Sequence, residues 1–579
     1  MKVFTADFET TTIETCKDET WVWSYGFREL WKPNSFKWGK DIDSFMSWAS
    51  KGSKLVYFHN LIFDVFLFLF WLLKNDFKHT VKKEQEEKTF RTIITKDGLF
   101  YQIEVIFKVR KKAVTKCTFQ DSYKKLPFTV ERIAKSFHLP CLKGSIDYKK
   151  VRPKGYEPTK EEIDYLHNDV EIMALALEKQ YDEDLEKMTI GADSLNTFKT
   201  MLGGGNTKFG TKEFERLFPP LNEKTNAIIR KTYKGGFTYV NPKHANKLIE
   251  NGQVYDVNSL YPSVMYDKPM PFGIPIRFEG EYQTHVNYPL YTQTLTCEFD
   301  LKKGYIPTIQ LKNNYRFSAN QYITSSNGEP VELNLTNVDL KLFFDHYDVK
   351  VYEWQGGYMF QSITGVFKEY IDKFMAIKKV EKGAKRELAK LLLNNLYGKF
   401  ATSTDATRKI PELCKVTGKV LLKQGEREVK KSIYTPVGSF ITSYAREITI
   451  RSAQKLGDRF IYADTDSLHI VGLDPVDIDI DPVELGKWKH EGDFVRGRFI
   501  RAKTYIEEIC LNEEGSECKL HEKVTTKTKV TCAGMNDKIK KEVTFDNFQL
   551  GQAFYGKLVP KVIKGGVVLV DDYFTIKIH

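Results

Sequence analysis

Acidic side chains stand in pairs at two distant places in this sequence, and the fold must hold the two carboxylates of each pair close to one another. Asp7 and Glu9 lie on a strand-like apolar stretch near the N-terminus, and Asp464 and Asp466 flank a tight turn far downstream. Residues two apart on a strand point to the same side, so Asp7 and Glu9 can share one cation. Because like charges disfavour joint ionisation of buried carboxyl groups, divalent cations are expected to accompany the N-terminal set.

Residues 1–190 alternate strand-like and helix-like patterns, which is typical of an α/β domain. We expect strands at Lys2–Phe8 and Leu55–Phe58, an apolar helix at Asn60–Leu73, and a helix at Thr159–Lys179 with an acidic first turn. This alternation predicts a single α/β domain at the start of the chain.

A different pattern follows a flexible joint at Gly203–Gly205. Two predicted helices form a hairpin, and short strands lie on both sides of it. The helices are Gly365–Val380 and Ala384–Leu396, and the strands lie around Gly236–Val240, Gln253–Val257 and Phe460–Ile470. With 579 residues, roughly three or four domains are expected.

Composition narrows the possible partners. The formal net charge is +12 and the pI about 8.9, which suits a polyanion, although a basic protein without nucleic acid is an equal alternative on charge alone. The eight cysteines contain no CxxC pair, so neither a disulfide framework nor structural zinc is expected. The most apolar run, Leu61–Leu73, contains Asp64 and is too short to span a bilayer. These features predict a cytoplasmic protein with no membrane segment.

The N-terminal acids belong to a larger set. Asp64 stands at a strand-to-helix junction, and Tyr165 and Asp169 are four apart on one helix face. Each piece alone fits an edge strand or a solvated helix surface. Together they resemble the DEDDy exonuclease superfamily. The segment Tyr57–Asp64 also resembles the second motif of that superfamily. The resemblance implies that Asp7, Glu9, Asp64 and Asp169 bind metal, that Tyr165 orients the water, and that the nuclease is active.

The same resemblance implies contacts with single-stranded DNA. Aromatic faces stack on bases, while hydroxyl and amide groups hold sugar and phosphate. The candidates are Thr10, His59, Asn60, Phe63, Ser122 and Tyr148. Lys143, in Leu-Lys-Gly, would offset charge on the scissile phosphate, and its alternative is a solvated loop lysine.

A second pair of motifs places carboxylates at strand ends. Asp256–Pro262 reads DVNSLYP, and Tyr462–Ser467 reads YADTDS. Alone, each fits a capped turn or a solvated hairpin tip. Together they resemble the first and third motifs of family B DNA polymerases. The resemblance implies Asp256, Val257 and Asp466 as metal ligands and Asp464 as an assisting carboxylate. A third acidic run, Asp477–Pro482, is predicted to be an exposed edge strand without chemistry.

One predicted helix has a polar face suited to a nucleotide. Taking about 100° per residue from Arg386, Lys390 falls near 40°, Asn394 near 80° and Tyr397 near 20°. Most of its leucines lie opposite, although Leu393 breaks the pattern. An ordinary amphipathic helix is the alternative reading, but the sequence from Lys390 through Gly398 resembles the family B fingers motif.

That motif implies roles for residues around the nucleotide. Lys378, Arg386 and Lys390 would meet the triphosphate, with Val257 and Asn394 nearby. Tyr261 would lie under the sugar and exclude a 2′-hydroxyl, and Tyr397 would pack by the nascent base pair. Two DNA-contacting elements also resemble family motifs: Tyr233, Gly235 and Gly236 in YKGG, and Lys503 and Tyr505 in KTY.

Two long segments exceed a minimal polymerase. They cover about Asp267–Gly365 and Thr402–Tyr434, and such insertions mark the protein-primed family B polymerases of small bacteriophages, the phi-twenty-nine group. The resemblance covers essentially the whole chain, through Gly565–Asp572. In that group the first insertion contacts a priming terminal protein. The second closes around DNA, which gives processivity and strand displacement.

The resemblance therefore predicts a ribonuclease-H-like exonuclease domain joined to a right-hand polymerase, in an α/β (α+β) fold. The expected boundaries are exonuclease 1–190, palm 191–266 and 435–535, terminal-protein insertion 267–365, fingers 366–401, processivity insertion 402–434 and thumb 536–579. Expected partners are primer-template DNA, dNTPs and a terminal protein, with two Mg²⁺ or Mn²⁺ ions per site and a monomer in the host cytoplasm. Three alternatives stay open: a conventionally primed polymerase, an exonuclease whose second half only binds nucleic acid, and a DNA-coating protein.

Overall fold

The computed structural model describes residues 1–16, 18–81, 86–110, 113–311 and 321–577. The chain begins with an eight-stranded mixed sheet. Its strands are Lys2–Thr10 (β1), Val22–Glu29 (β2), Lys37–Gly39 (β3), Lys54–Phe58 (β4), Lys78–His79 (β5), Thr89–Ile94 (β6), Phe100–Arg110 (β7) and Ala113–Asp121 (β8). The order is β3-β2-β1-β4-β8-β7-β6-β5. β1 pairs with β2 and β4, so its acids lie inside the sheet rather than at an edge.

Four helices accompany this sheet: Ile42–Ala49 (α1), Val65–Lys74 (α2), Val130–Ser136 (α3) and Lys160–Tyr181 (α4). α4 begins as predicted, because Thr159 and Glu162 form a capping box. The helix predicted from Asn60 begins only at Val65. Asn60 has φ 64° and its N–H donates to Asp121 Oδ1 at 3.0 Å, so residues 60–64 form a turn instead.

The rest of the chain alternates helices, sheets and hairpins. In chain order these are Ile190–Leu202 (α5), Thr207–Leu217 (α6), Glu223–Arg230 (α7), Thr238–Val240 (β9), Leu248–Val257 (β10), Leu260–Asp267 (α8), Met270–Phe278 (β11), Leu290–Leu301 (β12), Val331–Thr336 (β13), Asn337–His346 (α9), Tyr347–Ile363 (β14), Lys368–Val380 (α10), Gly383–Phe400 (α11), Lys409–Leu413 (β15), Val420–Gln424 (β16), Thr435–Leu456 (α12), Phe460–Asp464 (β17), Ser467–Val471 (β18), Trp488–Arg501 (β19), Thr504–Leu511 (β20), Thr525–Cys532 (β21), Asp537–Lys540 (α13), Ala553–Ile563 (β22) and Gly566–Thr575 (β23).

A seven-stranded sheet, β21-β20-β19-β10-β18-β17-β9, brings together strands that are far apart in sequence. A four-stranded sheet, β11-β14-β12-β13, falls within residues 267–365, and the hairpins β15-β16 and β22-β23 fall within 402–434 and 536–579. The chain is therefore mixed α/β, as predicted. None of the helices in the described residues is long and apolar enough to cross a membrane. All eight cysteines are free.

Two sequence predictions need correction. The acidic run Asp477–Pro482 belongs to none of the named strands and makes only an isolated bridge, between Ile480 and Trp488. Backbone hydrogen bonds to Trp488 and a side-chain hydrogen bond from Asn258 hold it as a loop. Gly203–Gly205 form the turn between α5 and α6, with φ 59° at Gly204 and 94° at Gly205. Because these two helices pack together, the glycines make a tight turn rather than a flexible joint.

A buried ion pair ties the first sheet to α5. Lys125 is completely buried, and its Nζ lies 2.8 Å from Asp193 Oδ2 and donates to the carbonyls of Leu185 and Lys187.

Removing one partner of a buried pair leaves an uncompensated charge. We expect Asp193→Ala to lower the free energy of unfolding by about 3 kcal/mol, measured by urea denaturation. The matched control is Glu131→Ala, because Glu131 pairs with Lys135 at the surface, where we expect less than about 1 kcal/mol. Equal small losses in both variants would contradict this expectation.

Candidate active sites

The acids predicted near the N-terminus line one cavity of about 600 Å³. β1 supplies Asp7 and Glu9, the turn before α2 supplies Asp64, and α4 supplies Tyr165 and Asp169. Lys143 reaches the same cavity from the loop between α3 and α4. The sheet order explains this meeting, because β1 and β4 are parallel neighbours and the turn to α2 follows the C-terminal end of β4.

The electrostatics of this cavity suit a cation. Burial, together with the charge of Asp169, raises the pKa of Asp7 to about 7. Burial and neighbouring acids also hold the pKa values of Glu9 and Asp64 well above their usual range. Lys143 Nζ lies 2.6 Å from Asp169 Oδ2, while the buried Asp169 Oδ1 has no hydrogen-bond partner. A set of crowded, partly unpartnered carboxylate oxygens fits Mg²⁺ or Mn²⁺.

The arrangement differs from a closed metal cage. Within the described residues, no three His, Cys, Asp or Glu side chains are grouped as metal ligands. Lys143 places a positive charge next to one oxygen of Asp169 and leaves the other oxygen without a hydrogen-bond partner. Tyr165 is buried and its hydroxyl lies 2.7 Å from that of Tyr148. Burial and the acids around it raise the pKa of Tyr165 well above its usual range.

The predicted single-strand contacts divide into two groups. Five of them line the cavity: Thr10, His59, Asn60, Phe63 and Tyr148. Ser122 does not, because it is fully buried beneath His59. Its hydroxyl lies 3.0 Å from His59 Nδ1, and Phe128 O lies 2.8 Å from His59 Nε2. Ser122 therefore positions the His59 ring, whereas the sequence predicted a direct contact between Ser122 and single-stranded DNA.

The sequence pattern missed one wall of the cavity. Leu558 from β22 and Val567, Val568 and Leu569 near the start of β23 line it. These residues are hundreds of positions away from β1 and carry no chemical motif. Only the docking of the C-terminal hairpin against the first sheet brings them there.

A second group of carboxylates meets on the seven-stranded sheet. Asp256 lies near the end of β10 and pairs in register with Ser467 of β18. Asp464 and Ser467 close the β17–β18 hairpin, which leaves Thr465 and Asp466 at its tip, with φ 64° at Thr465. Burial and the charge of Asp466 raise the pKa of Asp256 to about 7, and burial raises the pKa of Asp466. Crowded carboxylates again fit a divalent cation.

Asp464 has a different environment from its neighbours. Both of its carboxylate oxygens bind Lys503 Nζ, at 2.8 and 2.9 Å, and Thr238 Oγ1 donates to it. The backbone N–H of Lys503 donates to the hydroxyl of Tyr462 at 2.9 Å. Tyr505 packs its ring against that of Tyr462. The KTY element is thereby fixed beside the carboxylate hairpin.

The polar face predicted on α11 is exposed. Arg386, Lys390 and Asn394 face solvent, while Leu393 is buried with the other leucines. Lys378 on α10 donates to Ser259 Oγ at 3.0 Å. Burial, followed by the charges of Lys390 and Arg386, lowers the pKa of Lys378.

Two tyrosines and one backbone amide complete the predicted nucleotide site. The rings of Tyr261 and Tyr397 stack with centroids 4.0 Å apart. Val257 is buried, and its N–H donates to the Asp466 carbonyl at 2.8 Å. The structure thus brings the cationic face, both tyrosines and the acidic hairpin to one region.

The YKGG loop touches the hairpin tip, and an unpredicted arginine holds it. Arg446 on α12 donates to the carbonyls of Lys234 and Gly235 and forms a buried ion pair with Asp339 of α9, 2.6 Å between Nη2 and Oδ2. Tyr233 is half-buried in the same loop. Gly235 and Gly236 therefore lie between α12 and the β17–β18 turn.

Gly236 packs directly on Thr465. A Cβ on residue 236 would lie 2.5 Å from Thr465 Oγ1 and 2.9 Å from its Cβ, so Gly236→Ala must displace the turn that carries Asp466. For the primer extension that the resemblance to family B polymerases implies, we expect a loss of about tenfold or more, measured with a labelled primer-template. Gly235→Ala is the matched comparison, because a Cβ there meets no atom within 4 Å, and its loss should be smaller. A larger loss at Gly235 would contradict the steric argument.

Comparison with known proteins places these features in a family. The family model for DNA polymerase type B, organellar and viral, matches residues 149–484. The DNA polymerase of Bacillus phage Nf is 48% identical over 583 residues, covering 100% of both chains. The structure of phi29 DNA polymerase with primer-template DNA and incoming nucleotide substrates has a TM-score of 0.94 and 44% identity, and its complex with single-stranded DNA has a TM-score of 0.93 and 44% identity. Each covers 100% of both chains.

Proposed function

The chain belongs to the type B DNA polymerases of organelles and viruses, in the group of the phi29 enzyme, and we propose that it removes nucleotides as well as adding them, at two separate sites. Polymerisation belongs to the carboxylates of the seven-stranded sheet, and 3′→5′ excision belongs to the cavity of the first sheet. The observation that carries the second assignment is that Asp7, Glu9, Asp64 and Asp169 line one cavity with Tyr165 and Lys143.

At both sites we infer two Mg²⁺ or Mn²⁺ ions held by the carboxylates. Such ions activate the attacking oxygen and stabilise the leaving oxygen in phosphoryl transfer. Asp7, Glu9, Asp64 and Asp169 would hold them for excision, and Asp256, Asp466 and the Val257 backbone for polymerisation. Asp464 assists from its pair with Lys503.

In the excision cavity, the chain's own groups position the substrate. Phe63 and Tyr148 expose aromatic faces on which bases of a frayed primer can stack. The hydroxyl of Tyr165 would orient the attacking water. Lys143 brings positive charge to the position of the scissile phosphate. None of these groups reads a base sequence, as proofreading requires.

At the polymerase site, the same reasoning assigns roles around the nucleotide. Lys378, Arg386 and Lys390 would bind the triphosphate, and Asn394 lies on the same face. The Tyr261 ring, held by its stack on Tyr397, would exclude a ribose 2′-hydroxyl. Tyr233, Gly235 and Gly236 would contact the template, while Lys503 and Tyr505 would hold the primer terminus.

Contacts among the first sheet, the β15–β16 segment and the C-terminal β22–β23 hairpin support a proposal of strand displacement. Lys96, in the turn between β6 and β7, binds Asp405 at 2.8 Å, and Val420 of β16 packs in the core of the first sheet. The turn before β16 lies on the tip of the C-terminal hairpin, since a Cβ on Gly418 would lie 3.3 Å from Lys564 Cγ. Lys564 in turn binds Glu19 at 2.9 Å. We infer that these parts close around DNA, which would retain the primer-template and separate the duplex ahead.

Residues 267–365 are the proposed docking region for a terminal protein that supplies the priming hydroxyl. Their four-stranded sheet and α9 are anchored to α12 through Asp339 and Arg446. With a phage terminal protein, template ends and one labelled dNTP, the label should become covalently attached to that protein. Label found only on nucleic-acid primers would favour a conventionally primed polymerase.

Removal of metal tests the excision proposal. In Mg²⁺, the protein should shorten a 5′-labelled single-stranded oligonucleotide stepwise from its 3′ end, as gel electrophoresis would show. EDTA should stop the reaction, because the crowded carboxylates need cations, and added Mg²⁺ should restore it. Internal cleavage, or excision at an unchanged rate in EDTA, would contradict the proposal.

A further inference from the structure

The loop that contains the acidic run Asp477–Pro482 is hydrogen-bonded to the turn that follows Asp256. We call residues 481–487 the strap. Asn258 Nδ2 donates to the carbonyls of Asp481 at 2.9 Å and Glu484 at 3.1 Å. The Asn258 N–H donates to the Lys487 carbonyl at 2.9 Å, and its own carbonyl accepts from the Gly486 N–H at 3.0 Å. One residue therefore makes four hydrogen bonds to the strap.

The strap has a fixed shape of its own. Asp481 Oδ1 accepts hydrogen bonds from the N–H groups of Val483 at 2.7 Å and Glu484 at 2.6 Å. Gly486 has φ 83°, and a Cβ on it would lie 2.8 Å from Ser263 Cβ on α8. The Asp481 carboxylate thus holds the backbone whose carbonyls receive the Asn258 amide, and Gly486 seats the strap on α8.

The turn between Val257 and Ser259 also has contacts outside the strap, and Val257 itself is buried. On one side the Val257 N–H donates to the Asp466 carbonyl. Ser259 follows with φ 57° and bonds Lys378 through its hydroxyl. Tyr261 comes two residues later, at the start of α8. A movement of this turn moves both the Asp256 carboxylate and the Tyr261 ring.

We propose that Asn258 and Asp481 are positioning residues for nucleotide selection, acting through the strap on Tyr261. The inference rests on the proposed role of Tyr261 in excluding a 2′-hydroxyl. Neither residue touches the nucleotide. Asn258 ties the turn to the strap, and Asp481 keeps the strap in the shape that Asn258 requires.

The test compares insertion of dATP and ATP opposite a template thymine, as kcat and KM for each. Asn258→Ala removes two hydrogen bonds, so we expect KM for dATP to rise about tenfold and the preference for dATP over ATP to fall about tenfold. Asp481→Ala should give the same shifts. Because both act on one contact, the double variant should match either single variant instead of multiplying the effects. Asp477→Ala, an exposed acid of the same loop, should behave as wild type.

Two reference variants separate the possible failures. Tyr261→Val should lose the preference for dATP, and Asp256→Ala should lose insertion altogether. If those expectations fail, the proposed polymerase site is wrong. If they hold while Asn258→Ala and Asp481→Ala keep the wild-type preference within twofold, or while their effects multiply, the strap inference is overturned. If Asn258→Ala does not fold, the partly exposed Asp481→Ala decides the question alone.

Discussion

Replacing Asp466 with alanine should lower the rate of primer extension by about 10³-fold or more. Asp466 stands at the tip of the β17–β18 hairpin next to Asp256, where the proposed ions would lie. Metal ions supply several kcal/mol of transition-state stabilisation, and each 1.36 kcal/mol is tenfold in rate. Asp464 cannot take over, since both its oxygens bind Lys503. The measurement is single-nucleotide insertion on a labelled primer-template.

The same variant is its own folding control. Asp466→Ala should still shorten a single-stranded primer at the wild-type rate, because the excision cavity is formed by a different sheet. Asp458→Ala, which removes a carboxylate that is 86% exposed, should extend normally. Extension by Asp466→Ala within tenfold of wild type would show that the carboxylate hairpin is not the polymerase site.

The double change Asp7→Ala/Glu9→Ala should abolish excision to a similar extent, by about 10³-fold or more. These two acids lie on one face of β1 and line the cavity that Asp64 and Asp169 complete. Without them, too few carboxylates remain to hold two cations. The rate is measured as shortening of a 5′-labelled single-stranded oligonucleotide in Mg²⁺ without dNTPs.

Polymerisation by the double variant should stay within about twofold of wild type on a matched primer. A mismatched 3′ end should now persist, because the variant cannot remove it. Equal losses of excision and extension would indicate that the substitutions unfold the chain or that both activities share one site. Normal excision would remove the N-terminal carboxylates from the mechanism.

The sequence predicted the parts of the fold that depend on local periodicity and caps. The acidic first turn after Thr159 marks the start of α4, where the capping box forms. The 100° spacing separates the exposed Arg386, Lys390 and Asn394 from the buried leucines of α11. Such features are decided within a few residues, so no long-range contact has to be known.

Other features depend on partners far away in the chain. Ser122 is fully buried and its hydroxyl contacts the His59 ring, and Asn60 starts a turn in which its N–H donates to Asp121. Leu558 and Val567 line the excision cavity only because the C-terminal hairpin docks there. Alternating acids in Asp477–Pro482 suggested an edge strand, but bonds from Asn258 hold part of that run in a loop. The sequence pattern of one segment does not indicate which distant segment packs against it.

Motifs are intermediate between features that are decided locally and features that depend on distant partners. The resemblance to family B motifs predicts that Asp256 and Asp466 act together, and the antiparallel β10–β18 register explains how they meet. No motif predicts the buried ion pair between Arg446 and Asp339, although Arg446 holds the YKGG loop. A single arginine on a helix is ordinary in sequence and acquires meaning only from what surrounds it.

The central claim is that one chain adds and removes nucleotides at two separate metal-dependent sites. The most direct test uses a labelled primer with a mismatched 3′ end on a circular single-stranded template, in Mg²⁺. Without dNTPs the wild-type primer should shorten, and with dNTPs it should lose the mismatch and grow into products longer than one circle. A primer that only shortens at every dNTP concentration would contradict the polymerase assignment, and one that grows with its mismatch intact would contradict the excision site.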